Sequence, residues 1–476
     1  MRLAGILGLV VATVLAVRAY DAWRSPPLER WHTQSPDELS ADKIDESDWT
    51  AWLAAEARVM REVRERVTDK LPTGQRVAAN RYFDGSPLHA SRFATDWNRS
   101  FVLQPPGAPR GAAVLLHGLT DSPYSLRHVG EIYRRHGFAV VAVRMPGHGT
   151  VPAGLTRVKW EDWLAATRLA VRHARSLSPQ GPLHLVGYSN GAALALQYSL
   201  DALTSERADH HPLPDQLVLI SPMVGITSFA RFAGILGWPA IFPAFAKAGW
   251  LDILPEYNPF KYNSFPVNAA RQSSQLVRAV QEHLLGLGRD ELARMPPVLA
   301  FQSVADATVS TQAVVDNLFA FLPANGSELV LFDRNRAAQV GPLIRPGSTA
   351  VLDRLPLTDA RPYTLTLVTG TEADPAVIEA RRFAPDATQP VHDELPVRFA
   401  PDMYSLSHVA LPFPMDDPLY GREPRAVETF GVRLGDVAVR GERGMLVVGV
   451  ETLMRASSNP FFAFQEEKIA AVLGAK

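Results

Sequence analysis

Gly187-Tyr188-Ser189-Asn190-Gly191 places a serine between two glycines. Pro182-Leu183-His184-Leu185-Val186 precedes it, a short apolar run that predicts a buried strand. Ala192-Ala193-Leu194-Ala195-Leu196-Gln197-Tyr198 follows, rich in helix formers. A serine at a sharp strand-to-helix turn projects its hydroxyl clear of the backbone, where it can act as a nucleophile. The turn strains the serine backbone, and the glycines leave room where a Cβ would clash. The N–H of Asn190, at the helix start, then points to where an oxyanion would form. Five residues alone fit an ordinary Gly/Ser turn equally well. The strand before and the helix after select the nucleophile.

Such a hydroxyl attacks only when a base takes its proton and a third group orients that base. On a strand-turn-helix nucleophile the order along the chain is nucleophile, acid, histidine. Asp306 follows the apolar run Pro297–Val304, in Ser303-Val304-Ala305-Asp306-Ala307-Thr308-Val309, and is the expected acid. An aspartate at a strand end is also a common turn former. Only His392 and His408 lie downstream of it. His392 sits among charges, whereas His408 lies in Tyr404-Ser405-Leu406-Ser407-His408-Val409-Ala410-Leu411 and is the expected base. His117 and His148 belong to tight turns and are read as loop formers. A second oxyanion donor is expected in His117-Gly118-Leu119-Thr120-Asp121-Ser122-Pro123, at the N–H of Leu119.

These groups need a scaffold that delivers them to one edge. Strands are predicted at Ser100–Leu103, Ala112–His117, Phe138–Val143, Gln216–Ile220, Pro297–Val304 and Glu328–Phe332, besides the one before Ser189. Helices are predicted at Ser125–Arg135, Trp160–Ser176 and Thr311–Phe321. Such alternation implies a mostly parallel sheet covered by helices, with chemistry at its carboxyl edge. Upstream, Ser47–Val67 reads as an amphipathic helix, with Ser47 as N-cap and Trp49, Trp52, Leu53, Val59, Val63 and Val67 as apolar markers. Its tryptophans would pack on the main body or meet a membrane surface. Pro72-Thr73-Gly74 breaks that pattern.

From Pro222 to about Arg294 the alternation stops. Phe229, Phe232, Ile235, Leu236, Trp238, Ile241, Phe242, Phe245 and Trp250 crowd together there, as hydrophobic core or as a lid lining an acyl pocket. Residues 334–403 read as an insertion of unassigned role with one strand, Tyr363–Val368. A strand at Gly444–Val450 and a helix at Pro460–Val472 close the chain.

The 476 residues suffice for one large domain with insertions or for two domains. Hydrophobic content is 47%, charged content 20% and net charge −1, which gives no basic surface for nucleic acid. The absence of cysteine excludes disulfides, thiolate metal sites and a thiol nucleophile. Leu3–Val17 is an apolar run between Arg2 and Arg18. It suits an export signal or an uncleaved inner-membrane anchor, and a buried core helix is the alternative. The expected location is periplasmic, free or anchored through residues 3–17.

His117-Gly118-Leu119-Thr120-Asp121-Ser122-Pro123, Pro146-Gly147-His148-Gly149-Thr150, Trp160-Glu161-Asp162-Trp163 and the serine turn together resemble the α/β-hydrolases of the monoacylglycerol lipase, bacterial carboxylesterase and serine aminopeptidase-like group. The resemblance covers roughly Phe101–Phe332 and resumes near His408. It implies an α/β-hydrolase fold: a mostly parallel central sheet flanked by helices, a helical lid at about 222–294, and an extra insertion before the catalytic histidine. It implies Ser189, Asp306 and His408 as the catalytic triad and Leu119 and Asn190 as oxyanion donors. Asn190 stands where these enzymes often carry methionine or glutamine. The domain reading is a signal or anchor at 1–20, a helical extension at 21–99 and the hydrolase domain at 100–476. The expected activity is cleavage of lipid-like or short acyl esters through an acyl-enzyme, with no metal or cofactor and a small-molecule acyl ester as partner. A serine aminopeptidase-like amide hydrolase, a transacylase and a non-catalytic membrane-tethered scaffold are the alternatives.

Overall fold

Apolar runs without polar alternation need cover on both faces, and the sheet of this protein has it. In the computed structural model its strands are β1 (Phe101–Leu103), β2 (Gly111–Leu116), β3 (Phe138–Val143), β4 (Leu183–Tyr188), β5 (Gln216–Ile220), β6 (Val298–Ser303), β7 (Glu328–Phe332), β8 (Thr364–Gly370), β9 (Val377–Phe383) and β10 (Val391–Arg398). The structure describes residues 13, 16, 17, 20, 23–205, 211–225, 243–306, 308–333, 361–374, 376–398, 406–425, 428–435 and 455–474. The strands lie in the order β1-β3-β2-β4-β5-β6-β7-β8-β9-β10. From β3 across to β8 all neighbours are parallel, whereas β1 runs antiparallel to β3 and β8-β9-β10 form an antiparallel edge.

Period-two geometry divides each strand between two cores. In β2, Ala112, Val114 and Leu116 enter one core, while Ala113 and Leu115 enter the other. The first core is closed by α3 (Trp160–Leu177), α4 (Asn190–Thr204) and α5 (Val267–Gly286), through residues such as Trp163, Leu194 and Leu276. The second is closed by α2 (Arg127–Arg135) and α7 (Phe462–Val472), through Ile132 and Ile469. A further helix, α6 (Thr311–Asn317), follows the loop that carries Asp306. Parallel strands end together, so this arrangement brings the loops after β2, β4 and β6 to a single edge.

Four expectations change. The helix expected from Ser125 starts at Arg127, because Pro123–Leu126 forms a tighter 3-10 turn led by its proline. The extension helix, α1 (Trp49–Arg66), is capped by Asp48 rather than Ser47. Asp48 Oδ1 accepts the N–H of Ala51 at 2.7 Å, while the Ser47 hydroxyl donates backwards to the Lys43 carbonyl. Asp48→Ala is therefore expected to cost about 1 kcal/mol and Ser47→Ala less than about 0.5 kcal/mol, as read by urea unfolding. Next, the stretch read as a lid holds a regular helix. α5 packs on α4 as part of the helical layer, while residues 226–242, with most of the aromatic cluster, lie outside the described residues. Last, the insertion, expected to hold one strand, holds three among the described residues. Its β8 pairs in parallel with β7, and β9 and β10 extend the same sheet.

The tryptophans of α1 pack inward. Trp52 is buried and donates its indole N–H to Ser100 Oγ at 3.0 Å, and Trp49 stacks on the ring of His173. Apart from Thr13, Ala16 and Val17, the run Leu3–Val17 lies outside the described residues, as does the strand expected at 444–450. Among the described residues no helix is long and apolar enough to cross a membrane.

Candidate active site

Ser189 sits between β4 and α4 with φ 55° and ψ −114°, in the left-handed region a non-glycine residue rarely adopts. Two backbone hydrogen bonds help hold it there. Its N–H donates to the Ile220 carbonyl at 2.9 Å, and its carbonyl accepts the N–H of Ala192 at 3.0 Å. The glycines have a steric reason. A Cβ on Gly191 would overlap the Leu116 carbonyl oxygen, and one on Gly187 would strike the backbone of Ala192. Their absence lets the first turn of α4 close against the ends of β2 and β4. Asn190 thus occupies the first position of α4, where the backbone N–H has no acceptor within the helix. Its side-chain oxygen accepts from Ser273 Oγ of α5 at 2.8 Å, so the supposed lid helix fixes this residue.

The loop after β2 is held from below and from the side. Burial lowers the His117 pKa to about 3, and the ring is neutral. Its Nδ1–H donates to the Gly118 carbonyl at 2.9 Å, and its Nε2 accepts the N–H of Met145 at 3.0 Å. His148 is likewise buried, with Nδ1 on the Pro146 carbonyl. Both histidines shape loops. Thr120, next to Leu119, has φ 64°, and its carbonyl accepts the N–H of Tyr262 at 2.9 Å. Tyr262 also belongs to the segment read as a lid, and it braces this loop.

Asp306 and His408 meet across 102 positions of sequence. His408 Nδ1 donates to Asp306 Oδ2 at 3.1 Å, and the aspartate side chain is wholly buried. Asp306 Oδ1 accepts the N–H groups of Thr308 and Val309 at 2.8 and 2.9 Å. Burial would raise the Asp306 pKa, but His408 and these backbone donors outweigh it and hold the carboxyl below its ordinary value. The His408 ring packs against that of Tyr188, with centroids 5.3 Å apart, and Tyr188 directly precedes Ser189. Among the described residues no hydrogen bond joins Ser189 Oγ to the imidazole, a contact that often tightens only when substrate binds. The other downstream histidine is elsewhere: His392 lies on β10 and pairs with Glu379 at 2.8 Å.

Residues 107–334 match the family described as serine aminopeptidase, S33. The chain has an α/β-hydrolase fold. The match includes Leu119, Ser189, Asn190 and Asp306, and ends before His408. A thermostable monoacylglycerol lipase of Bacillus sp. (strain H-257) is 26% identical over 172 residues, which are 36% of this chain and 63% of that relative. The chain therefore spans less than two thirds of the length of the relative it matches. Similar solved structures include a soluble variant of the monoglyceride lipase of Saccharomyces cerevisiae, 12% identical, covering 49% of this chain and 81% of that one with a TM-score of 0.39. The monoacylglycerol lipase of Paleococcus ferrophilus is 18% identical and covers 49% and 87%, with a TM-score of 0.36.

One supporting group had no sequence signal. Asp417 is fully buried nine positions after His408 and gathers Tyr124 Oη, Arg127, His128 and the N–H groups of Leu419 and Tyr420. Burial opposes its ionisation, yet these donors hold its carboxyl well below the usual range. Asp417 thereby fastens the segment after His408 to α2. An aspartate before Pro418 reads locally as a turn, and its side-chain partners lie about 290 positions away.

Proposed function

We propose that this chain is a serine hydrolase that cleaves carboxylic esters through an acyl-enzyme on Ser189. The observation that carries the proposal is the buried Asp306–His408 hydrogen bond at the sheet edge that also presents the Ser189 turn. Ser189 Oγ attacks the ester carbonyl as His408 takes its proton. Asp306 orients the ring and stabilises the imidazolium. The N–H groups of Leu119 and Asn190 stabilise the oxyanion. His408 then protonates the leaving alcohol, and water attacks the acyl-enzyme with the same histidine as base. These steps need neither metal nor cofactor.

An ester is favoured over an aminoacyl amide by the charge around the oxyanion loop. An aminopeptidase needs a free carboxylate to bind the substrate ammonium. Asp121, the acid on this loop, is already paired with Lys261 at 3.1 Å. The Bacillus relative is a monoacylglycerol lipase, which points to lipid-like or short acyl esters. Residues 1–20 are proposed as an export signal or inner-membrane anchor, which puts the hydrolase at 100–476 and its extension at 21–99 in the periplasm. A chain-length panel of p-nitrophenyl esters assayed beside aminoacyl p-nitroanilides tests the activity. Ester kcat/KM should exceed the amide value by at least about 10²-fold. Selective amide cleavage would overturn the ester assignment.

A further inference from the structure

We infer that Gln302 is a positioning residue of the proposed reaction, its side-chain amide holding Asp306 Oδ2 in place for the imidazole of His408. This rests on the Ser189–His408–Asp306 reading. Gln302 is the penultimate residue of β6 and is 0% exposed. Its Nε2 lies 3.2 Å from Asp306 Oδ2, the same oxygen that accepts from His408 Nδ1. The Ser303 carbonyl, Thr311 Oγ1 and the Val309 carbonyl lie at 3.3, 3.3 and 3.4 Å. Four acceptors compete for two amide hydrogens, and the carboxylate is both the nearest and the only charged one. It draws the strongest bond.

The surroundings also fix which way the amide faces. The Thr311 hydroxyl donates to the Ser303 carbonyl at 3.0 Å. A flipped amide would therefore turn its oxygen toward a carboxylate, two carbonyls and a hydroxyl whose proton is already engaged. With Nε2 inward, Oε1 is left buried without a partner among the described residues. A packed methionine would avoid that cost, so the glutamine is not there for packing. Oδ1 of Asp306 is held by two backbone N–H groups and Oδ2 by Gln302. The carboxylate is thus locked about its Cβ–Cγ bond independently of the histidine, as preorganisation requires.

Gln302→Met, Gln302→Asn and Gln302→Glu, prepared in the full chain, test this with ester turnover, pH profiles and thermal unfolding. Gln302→Met removes the donor, and Gln302→Asn is one methylene too short to reach. Each should lower kcat by about tenfold, the worth of one hydrogen bond to a charged group, with KM within about twofold. Gln302→Glu sets a second carboxylate against the first, and the pair then shares a proton as pH falls. Its acid limb of kcat/KM should move up by about one pH unit or more. A purely structural glutamine would lower Tm and leave the pH profile and kcat of folded protein unchanged, and that result overturns the assignment. Should Gln302→Glu fail to fold, wild-type kcat in the two neutral variants overturns it equally. Ser189→Ala run alongside separates two failures. Turnover surviving in Ser189→Ala removes the underlying reading, whereas turnover lost there but kept in Gln302→Met removes only the role of Gln302.

Discussion

Ser189→Ala is expected to lower kcat/KM on a preferred acyl ester by about 10⁴–10⁶-fold and to abolish covalent labelling by a fluorophosphonate. Stability should change by less than about 1 kcal/mol. The backbone of the turn is set by the Ile220 and Ala192 hydrogen bonds and by the flanking glycines, none of which involves the hydroxyl. Alanine keeps the same Cβ, so it inherits the φ of 55° without new strain. Binding and the oxyanion donors would survive, leaving a residual rate roughly 10³–10⁴-fold above water. Labelling and turnover are measured on one preparation. If alanine keeps more than about 1% of turnover, or if the probe still attaches, the nucleophile lies elsewhere and the acyl-enzyme scheme is lost.

The central strands were legible because burial on both faces leaves an unbroken apolar run. Phe138–Val143, Gln216–Ile220 and Glu328–Phe332 were read to the residue. The same physics hid β9 and β10. They lie at and next to the sheet edge, where Arg382 and most of Val391–Val397 meet solvent; both strands are laced with charges, and Pro396 argues locally against a strand. α5 was missed for another reason. Its apolar residues Leu276, Val277, Val280 and Leu284 do follow helical spacing, but the aromatic cluster before them dominated the reading of the whole segment. Asp306 followed from its place after an apolar run together with chain order, and His408 was preferred to His392 because His392 lies among charges. Gln302 and Asp417 did not, because each is defined by partners that only the folded chain supplies.

The extension before β1 lies outside the matched family segment, yet its attachment carries the second large effect. Arg144, at the end of β3, is 0% exposed. It donates to both oxygens of Glu38 at 2.7 and 3.0 Å, to Glu56 at 3.0 Å and to the His148 carbonyl at 2.9 Å. Arg144→Met keeps the bulk and deletes the charge, stranding two carboxylates in the interior. The expected loss is about 3–5 kcal/mol by urea unfolding near pH 8. The loss should also depend on pH. Burial already raises the Glu56 pKa in the folded state, against the pull of Arg144 and Ser100. Removing the arginine raises it further. A carboxyl with a folded pKa above its unfolded one binds more protons when folded, so stability falls as pH rises between the two values. The deficit of Arg144→Met should therefore shrink as pH is lowered from about 8 toward about 5. Activity should fall with it, because the neighbouring Met145 N–H holds His117 and His117 holds Gly118 on the proposed oxyanion loop. A deficit below about 1 kcal/mol, or one that is flat with pH, would mean that the extension is fastened by its apolar contacts, Trp52 foremost, and not by this ion cluster.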